Sequence, residues 1–345
     1  MIATGVSRIL KHEAPGQLRA VAIDETGRPY RLFTERWAGL GAPVRFGTVA
    51  EGRLRAFADD LRGAFCTLEN GEEVFLRLKS REGLTEGARI CVKIQSEARR
   101  EKRARVVLAS PETQQMSAYQ LWWRSLPNAQ NIETLEDRDA VEAAFEDATS
   151  RTVTLEGGGR LIVELTQALT AFDIDTAGRQ GKGSAGARAL SLNRVAAIEM
   201  ARQMSLRGLG GNAVLDCIAP MNSDAGDRVR KAAVQAFMAV GTEQAKVLKP
   251  SALGLLEASI PWRYRPLNEE LNDDASESHL LTMFRGVQRE AEARPAKLFE
   301  LSLGAETWRA YCARKRESDA ALARFFGGRV TVRQSGQEAS EILTR

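Results

Sequence analysis

Leu169-Thr-Ala-Phe-Asp-Ile-Asp-Thr176 and Gly210-Gly-Asn-Ala-Val-Leu-Asp216 decide how this chain folds. Each is a short apolar run ending in acid, as when a buried strand delivers a polar side chain at its exposed end. With one helical stretch between them they form a β-α-β arrangement, and neighbouring strands would bring Asp173 and Asp216 together at one sheet edge. Asp175 alternates with Asp173 across Ile174, so in an extended segment both carboxylates face one side. A lone Asp-x-Asp is most often a solvated turn, and it is the second strand-end acid that gives the pair a chemical reading. Two carboxylates with no cationic neighbour in sequence repel one another unless a cation or proton sits between them. Mg²⁺, with Mn²⁺ as the alternative, is held in this way by one or two carboxylates plus phosphate oxygens. Asp173 and Asp216 are thus the expected metal ligands. Asp175 is expected to orient a water or a ligating carboxylate, and the three aspartates form the candidate catalytic set.

Working outward, 152–155 and 160–164 flank Gly157-Gly158-Gly159 as a hairpin that feeds the first acidic strand. A helix is expected from the N-cap candidate Ser191 to Arg207-Gly208. A second amphipathic helix at 226–240 and an apolar segment at 253–256 complete a mixed α/β layer. Gly181-Lys-Gly-Ser-Ala-Gly186 matches a dinucleotide-binding turn, but the preceding strand ends at Asp175 and no acidic residue follows about 20 positions later. A basic loop of Arg179, Lys182 and Arg188 closing over a nucleic-acid backbone accounts for these residues together.

Upstream, five short alternating runs at 46–50, 63–68, 73–78, 89–95 and 103–108 are punctuated by Asn70-Gly71 and Glu86-Gly87. Five strands in this space fit a small closed barrel, and the OB-fold is the commonest such barrel that binds nucleic acid. Phe65 and Phe75 lie on consecutive strands. A generic barrel buries such rings, whereas a nucleic-acid barrel exposes them for bases to stack on, at roughly 1–3 kcal/mol per base. The basic run Arg99-Arg-Glu-Lys-Arg-Ala-Arg105, in the turn before the last strand, favours the second reading. Candidate RNA contacts are Phe65, Phe75, Lys102, Arg99, Arg103 and Lys182. Trp122-Trp123 is read as a docked core anchor in preference to a stacking pair.

The 345 residues carry a net charge of +4, too mild to argue by itself for a polyanionic partner. Four scattered cysteines and two histidines support neither a disulfide framework nor a zinc site. No apolar run is long enough to span a membrane and the N-terminus lacks a secretory apolar block, so a cytoplasmic, membrane-free protein is expected. With no histidine placed as general base, metal-activated water is the expected nucleophile on a phosphodiester. The expected fold is α+β and multidomain: an OB-fold β-barrel, a mixed α/β metal-dependent nuclease domain and a small α/β C-terminal domain. The expected boundaries are N-terminal strands at 1–40, the barrel at 41–110, a connecting segment at 111–150, the catalytic domain at 151–267, a polar linker at 268–278 and the C-terminal domain at 279–345.

Glu164-Leu-Thr-Gln-Ala-Leu-Thr-Ala-Phe-Asp-Ile-Asp-Thr176, then Asn193, Ala196-Ala197, Glu199-Met-Ala-Arg-Gln-Met-Ser-Leu-Arg-Gly-Leu-Gly-Gly211, Val214-Leu-Asp216 and Gly254-Leu-Leu-Glu257 resemble the ribonuclease E/G family of bacterial endoribonucleases. The resemblance implies that Asp173 and Asp216 match the metal-ligating aspartates, and that Phe65, Phe75 and Lys102 occupy RNA-contacting positions of an OB-type domain. It implies that 1–40 is a remnant of an RNase H-like part. It also implies cleavage of single-stranded, often A/U-rich RNA in mRNA decay and ribosomal RNA maturation, leaving a 5′-phosphate. The chain departs from the family in four ways. Asp175 stands where the family has an asparagine, Val195 where it tends to have an acid, and Ala252 where it has an arginine that senses the RNA 5′ end. The cysteine pair of an inter-subunit zinc is missing, so no zinc is expected, and any homodimer is expected to form through the C-terminal domain. The alternative reading is an RNA-binding protein derived from this family that no longer cuts.

Overall fold

The computed structural model describes residues 5–37, 43–81, 83–100, 102–110, 116–128, 132–177, 183–272 and 274–345. It falls into two units, Met1–Lys11, Ala20–Phe33 and Pro43–Leu267 in the first, and His12–Arg19, Thr34–Ala42 and Asn268–Arg345 in the second. The N-terminal strands are therefore shared between the units. These strands are β1 (Val6–Ala14), β2 (Gln17–Asp24) and β3 (Pro29–Arg36). β2 and β3 pair around the turn Asp24 to Gly27, which is closed by the Gly27 N–H donating to the Asp24 carbonyl at 3.0 Å. β1 carries no clean alternation in sequence, because Arg8, Lys11 and His12 interrupt it.

The barrel is built from β4 (Val49–Ala58), β5 (Gly63–Leu68), β6 (Glu73–Arg77), β7 (Arg89–Ser96) and β8 (Ala104–Leu108). It closes in the order β4-β5-β6-β8-β7, with β6 and β8 parallel and every other pair antiparallel. A closed five-stranded barrel is what the sequence pattern called for. Leu54, Leu76, Val92, Ile94 and Val106 fill its interior. β4 lies further along the chain than the 46–50 run and is longer, because a register shift between Leu54 and Ala56 lets one strand bend around the barrel. Gly52 permits this closure, since a Cβ there would lie 2.6 Å from the Thr67 carbonyl oxygen.

Beyond the barrel come α1 (Ala118–Arg124), β9 (Thr134–Glu136), which pairs parallel with β1, and α2 (Arg138–Thr149). A capping box of Ser117 and Gln120 starts α1. Trp122 is buried against Phe33 at 5.6 Å between ring centroids, so it is the core anchor.

The largest sheet contains β10 (Thr152–Thr154), β11 (Arg160–Leu165), β12 (Leu169–Asp175), β13 (Gly211–Asp216), β14 (Lys246–Val247) and β15 (Leu255–Ile260). Its order is β10-β11-β12-β13-β15-β14, and β12–β13 is its parallel pair. Between β12 and β13 runs α3 (Ala185–Leu206), and after β13 runs α4 (Ser223–Ala239). Leu161, Phe172, Leu215 and Leu256 from the sheet share one core with Met200, Met204, Val229 and Phe237 from these helices. The opposite sheet face therefore keeps its polar residues exposed. α3 starts at Ala185, not at Ser191, because Ser184 supplies the N-cap by accepting the Ala187 N–H at 3.3 Å.

Two helices cover most of the expected linker. α5 (Leu267–Asn272) and α6 (Ala275–Ala293) occupy it, with Asp274 capping α6 through the Glu277 N–H. Glu269, Glu270 and Glu277 of this run sit in first helical turns, where carboxylates complement the positive end of the helix dipole. In the second unit, β16 (Phe299–Leu303) is buried throughout, parallel to β17 (Val330–Gln334) and antiparallel to β18 (Glu341–Thr344). The helices α7 (Ala305–Ala313) and α8 (Lys315–Phe326) complete it. Trp37 joins Phe284, Leu301 and Tyr311 in its core, a contribution from the N-terminal segment that no local pattern announced.

Candidate functional site

β12 and β13 run parallel in the register Phe172↔Leu215, so the next residue on each strand is Asp173 and Asp216. Phe172 and Leu215 point into the core while both aspartates are exposed. The two carboxylates therefore stand side by side at the C-terminal ends of adjacent strands, where ligands of α/β sheets collect. Neither is engaged by a hydrogen bond or ion pair from any described residue.

The third aspartate behaves differently. The Asp175 carboxylate accepts the Ala177 N–H at 2.9 Å and so shapes the turn that leaves β12. The same exposed face carries two glutamates. Glu164 lies opposite Ala171, is ion-paired to Arg151, and so is neutralised. Glu257 lies opposite Val214, one diagonal step from Asp216, and is exposed. Among the described residues no three His, Cys, Asp or Glu side chains are grouped to hold a metal ion. The donor set is thus two hard carboxylate oxygens sources on an open face, which fits Mg²⁺ completing its shell with water and phosphate.

The loop after Asp216 is held from two sides. Asn193 of α3 is fully buried, donating to the Ile218 carbonyl and accepting the Ile218 N–H, both at 2.9 Å. The Cys217 N–H donates to the Gly254 carbonyl at 3.1 Å. Gly254 has φ +85°, and a Cβ there would press on the Cys217 oxygen at 3.3 Å. Burial, together with the neighbouring Asp216 charge, pushes the Cys217 thiol up to about 12, so it stays protonated and unreactive.

On the barrel, Phe65 and Phe75 are registered partners on β5 and β6. They alternate with the interior residues Ala64, Cys66, Val74 and Leu76, so they lie half-buried on the outer surface. Their rings meet edge to face at 5.5 Å. Gly63 makes room for this, since a Cβ there would strike the Phe75 ring at 2.4 Å. Arg105 is registered with Phe75 on β8 and is exposed. The Arg103 guanidinium lies 5.2 Å from the Phe65 ring centroid and pairs with Glu73 at 2.8 Å. Lys102 is exposed beside it. Arg99 departs from the expectation of a surface RNA contact. It is buried, with its guanidinium 4.2 Å from the centre of the Trp262 indole. Lys182, with Arg179, lies outside the described residues. Arg188 is helical and donates to the Gly183 carbonyl at 2.5 Å.

The run from Glu199 to Gly211, part of the family resemblance, builds a buried polar network. Buried Glu199 accepts from Arg28 at 2.8 Å, from Arg202 at 3.0 Å and from Gln203 at 2.9 Å. Gln203 in turn accepts from Arg207 at 2.7 Å, and Arg207 donates to the Ser150 carbonyl at 2.6 Å. Burial by itself would raise the Glu199 carboxyl, but Arg202 and Arg28 hold it below the usual carboxylate range.

The sequence signature of the Ribonuclease E/G family matches residues 43–260, which include the barrel and both aspartate strands. Ribonuclease E of Haemophilus influenzae is 44% identical over 78 residues, 23% of this chain and 8% of that protein. Ribonuclease E of Escherichia coli K12 is 42% identical over 78 residues, 23% of this chain and 7% of that protein. Ribonuclease G of Escherichia coli K12 is 36% identical over 117 residues, 34% of this chain and 24% of that protein. The aligned parts thus span less than a quarter of the length of these relatives. The match at 43–260 covers well over half of the 345 residues, and on that ground the chain belongs to the ribonuclease E/G family.

Proposed function

We propose that this protein is a Mg²⁺-dependent endoribonuclease acting on single-stranded RNA in RNA processing or decay. The observation that carries the reading is the register that sets Asp173 beside Asp216 on an exposed face, in a chain of the ribonuclease E/G family. Asp173 and Asp216 would hold the ion, which when bound supplies charge neutralisation at the phosphate and a more acidic water. Phe65 and Phe75 stack bases, and Lys102, Arg103 and Arg105 follow the phosphates. Asn193 fixes the loop after Asp216, so the carboxylate is held in place before RNA arrives. None of the described helices is long and apolar enough to cross a membrane.

Gel-resolved cleavage of a short fluorescent A/U-rich RNA, with Mg²⁺ or with EDTA, tests the reading. Cleavage that needs both the ion and Asp216 is the expected outcome. RNA that is bound by wild type yet stays intact under every condition would establish instead the RNA-binding protein that no longer cuts.

A further inference from the structure

The segment that follows β15 is gripped by the barrel. The Glu97 carboxylate accepts the Arg265 N–H and the Phe46 N–H, each at 2.9 Å, and the Glu97 N–H donates to the Arg263 carbonyl at 2.9 Å. Phe46 meets Tyr264 at 5.3 Å between ring centroids. Beside this clasp, Arg99 places its guanidinium 4.2 Å from the indole centre of Trp262. The indole lies on the backbone of Gly210 and Gly211, where a Cβ at 210 would fall 2.8 Å from the ring and one at 211 would fall 3.0 Å from its nitrogen. Gly211 opens β13, the strand that ends in Asp216.

A continuous stack thus runs from the basic turn of the barrel, through one indole, to the strand bearing the acidic pair. The same turn presents Lys102, Arg103 and Arg105 outward and Arg99 inward. A bound strand that is held on Phe65 and Phe75 can deliver only the phosphodiester whose distance along the backbone matches the span to Asp173 and Asp216.

We infer that Arg99 and Trp262 are positioning residues: their stack on Gly210–Gly211 fixes the barrel against β13 and so selects which phosphodiester reaches the two carboxylates. The inference rests on the endoribonuclease reading above. Neither residue touches the reacting atoms, and neither supplies affinity for RNA. Loosening the stack therefore leaves binding intact and blurs the cut.

The test uses the full chain as wild type, Trp262→Ala, Trp262→Phe, Arg99→Ala and Arg99→Lys. Binding of a labelled single-stranded RNA of about 20 nucleotides, long enough for one barrel site and the acidic edge, is measured by anisotropy in EDTA. Single-turnover cleavage in Mg²⁺ is mapped to nucleotide resolution. The alanine variants should bind like wild type within about twofold, cut roughly 10²-fold more slowly as misplaced reactants do, and spread the cut over neighbouring phosphodiesters. Trp262→Phe should restore most of the rate and the single cut, since a ring on the two glycines is kept. Alanine variants that cut the wild-type bond at the wild-type rate would overturn the inference, as would a rate loss that follows loss of binding. If wild type itself does not cut, the endoribonuclease reading fails separately. Photo-crosslinking of RNA carrying one 4-thiouridine at successive positions then reads the same geometry. One preferred position reaching the 169–176 or 211–216 peptides in wild type, and several in Trp262→Ala, supports the stack. Unchanged positions reject it.

Discussion

At the scale of single residues the protein separates acids left exposed at strand ends from acids tied into the fold. Asp173 and Asp216 are exposed and unengaged by described residues, whereas Asp175 is committed to the Ala177 N–H and Glu164 to Arg151. Asp216→Asn keeps the shape and removes one charge of the pair. It should lower Mg²⁺-dependent cleavage by at least about 10²-fold while RNA binding in EDTA stays near wild type. A fall in binding equal to the fall in rate would count against a metal role. Phe75→Ala acts on the other end of the substrate. Removing one stacking platform should weaken RNA binding by roughly 1–3 kcal/mol, read by anisotropy, with cleavage of saturated substrate little changed. Both pairs were legible in the sequence, because alternation alone places strand-end acids and barrel-face aromatics. Arg99 was not legible: its neighbours in sequence are surface cations, and only the approach of Trp262 from residue 262 turns it inward.

At the scale of elements, α3 does two jobs with opposite ends of one sequence motif. Asn193 clasps the loop that carries on from Asp216, and Glu199, Gln203 and Arg207 tie the helix to Arg28 and Ser150. Breaking a buried ionic cluster by removing one partner costs about 3–5 kcal/mol, so Glu199→Gln should lower the melting temperature clearly without changing where RNA is cut. The sign with pH follows from the depressed Glu199 carboxyl. Its stabilising contribution is fully present above the ordinary carboxylate value of about 4.3 and is lost as pH falls through the lower folded value. Thermal melts from neutral to acidic pH should show wild type losing stability at the acid end. Glu199→Gln should show a shallower loss, and parallel curves would refute the assignment. The sequence showed this helix but not its start, since Ala185 to Leu190 lack apolar periodicity, nor its buried polar network, since Glu, Gln and Arg read as a solvated face.

At the scale of the whole molecule, each unit draws on segments distant in sequence. Trp37 completes a core otherwise made from residues 280 onward, and the stretches 268–272 and 275–278 of the expected linker are helix. The barrel's outward cations predict how RNA binding responds to salt. If Lys102, Arg103, Arg105 and one or two further cations neutralise phosphates, log K against log salt should fall with a slope of about −3 for a single strand. A flat plot would exclude a phosphate-tracking face. The sequence by itself determined the closed barrel, the parallel pair of acidic strands and the aromatic pair, because period-two alternation and turn residues are local and each dictates which face a side chain takes. The tertiary structure alone decided that Arg99 is buried, that Glu199 is scaffold, that Glu257 shares the face of Asp216, and that the N-terminal strands are divided between two units. Those outcomes depend on which elements meet, and burial changes the meaning of a charge that sequence can only count.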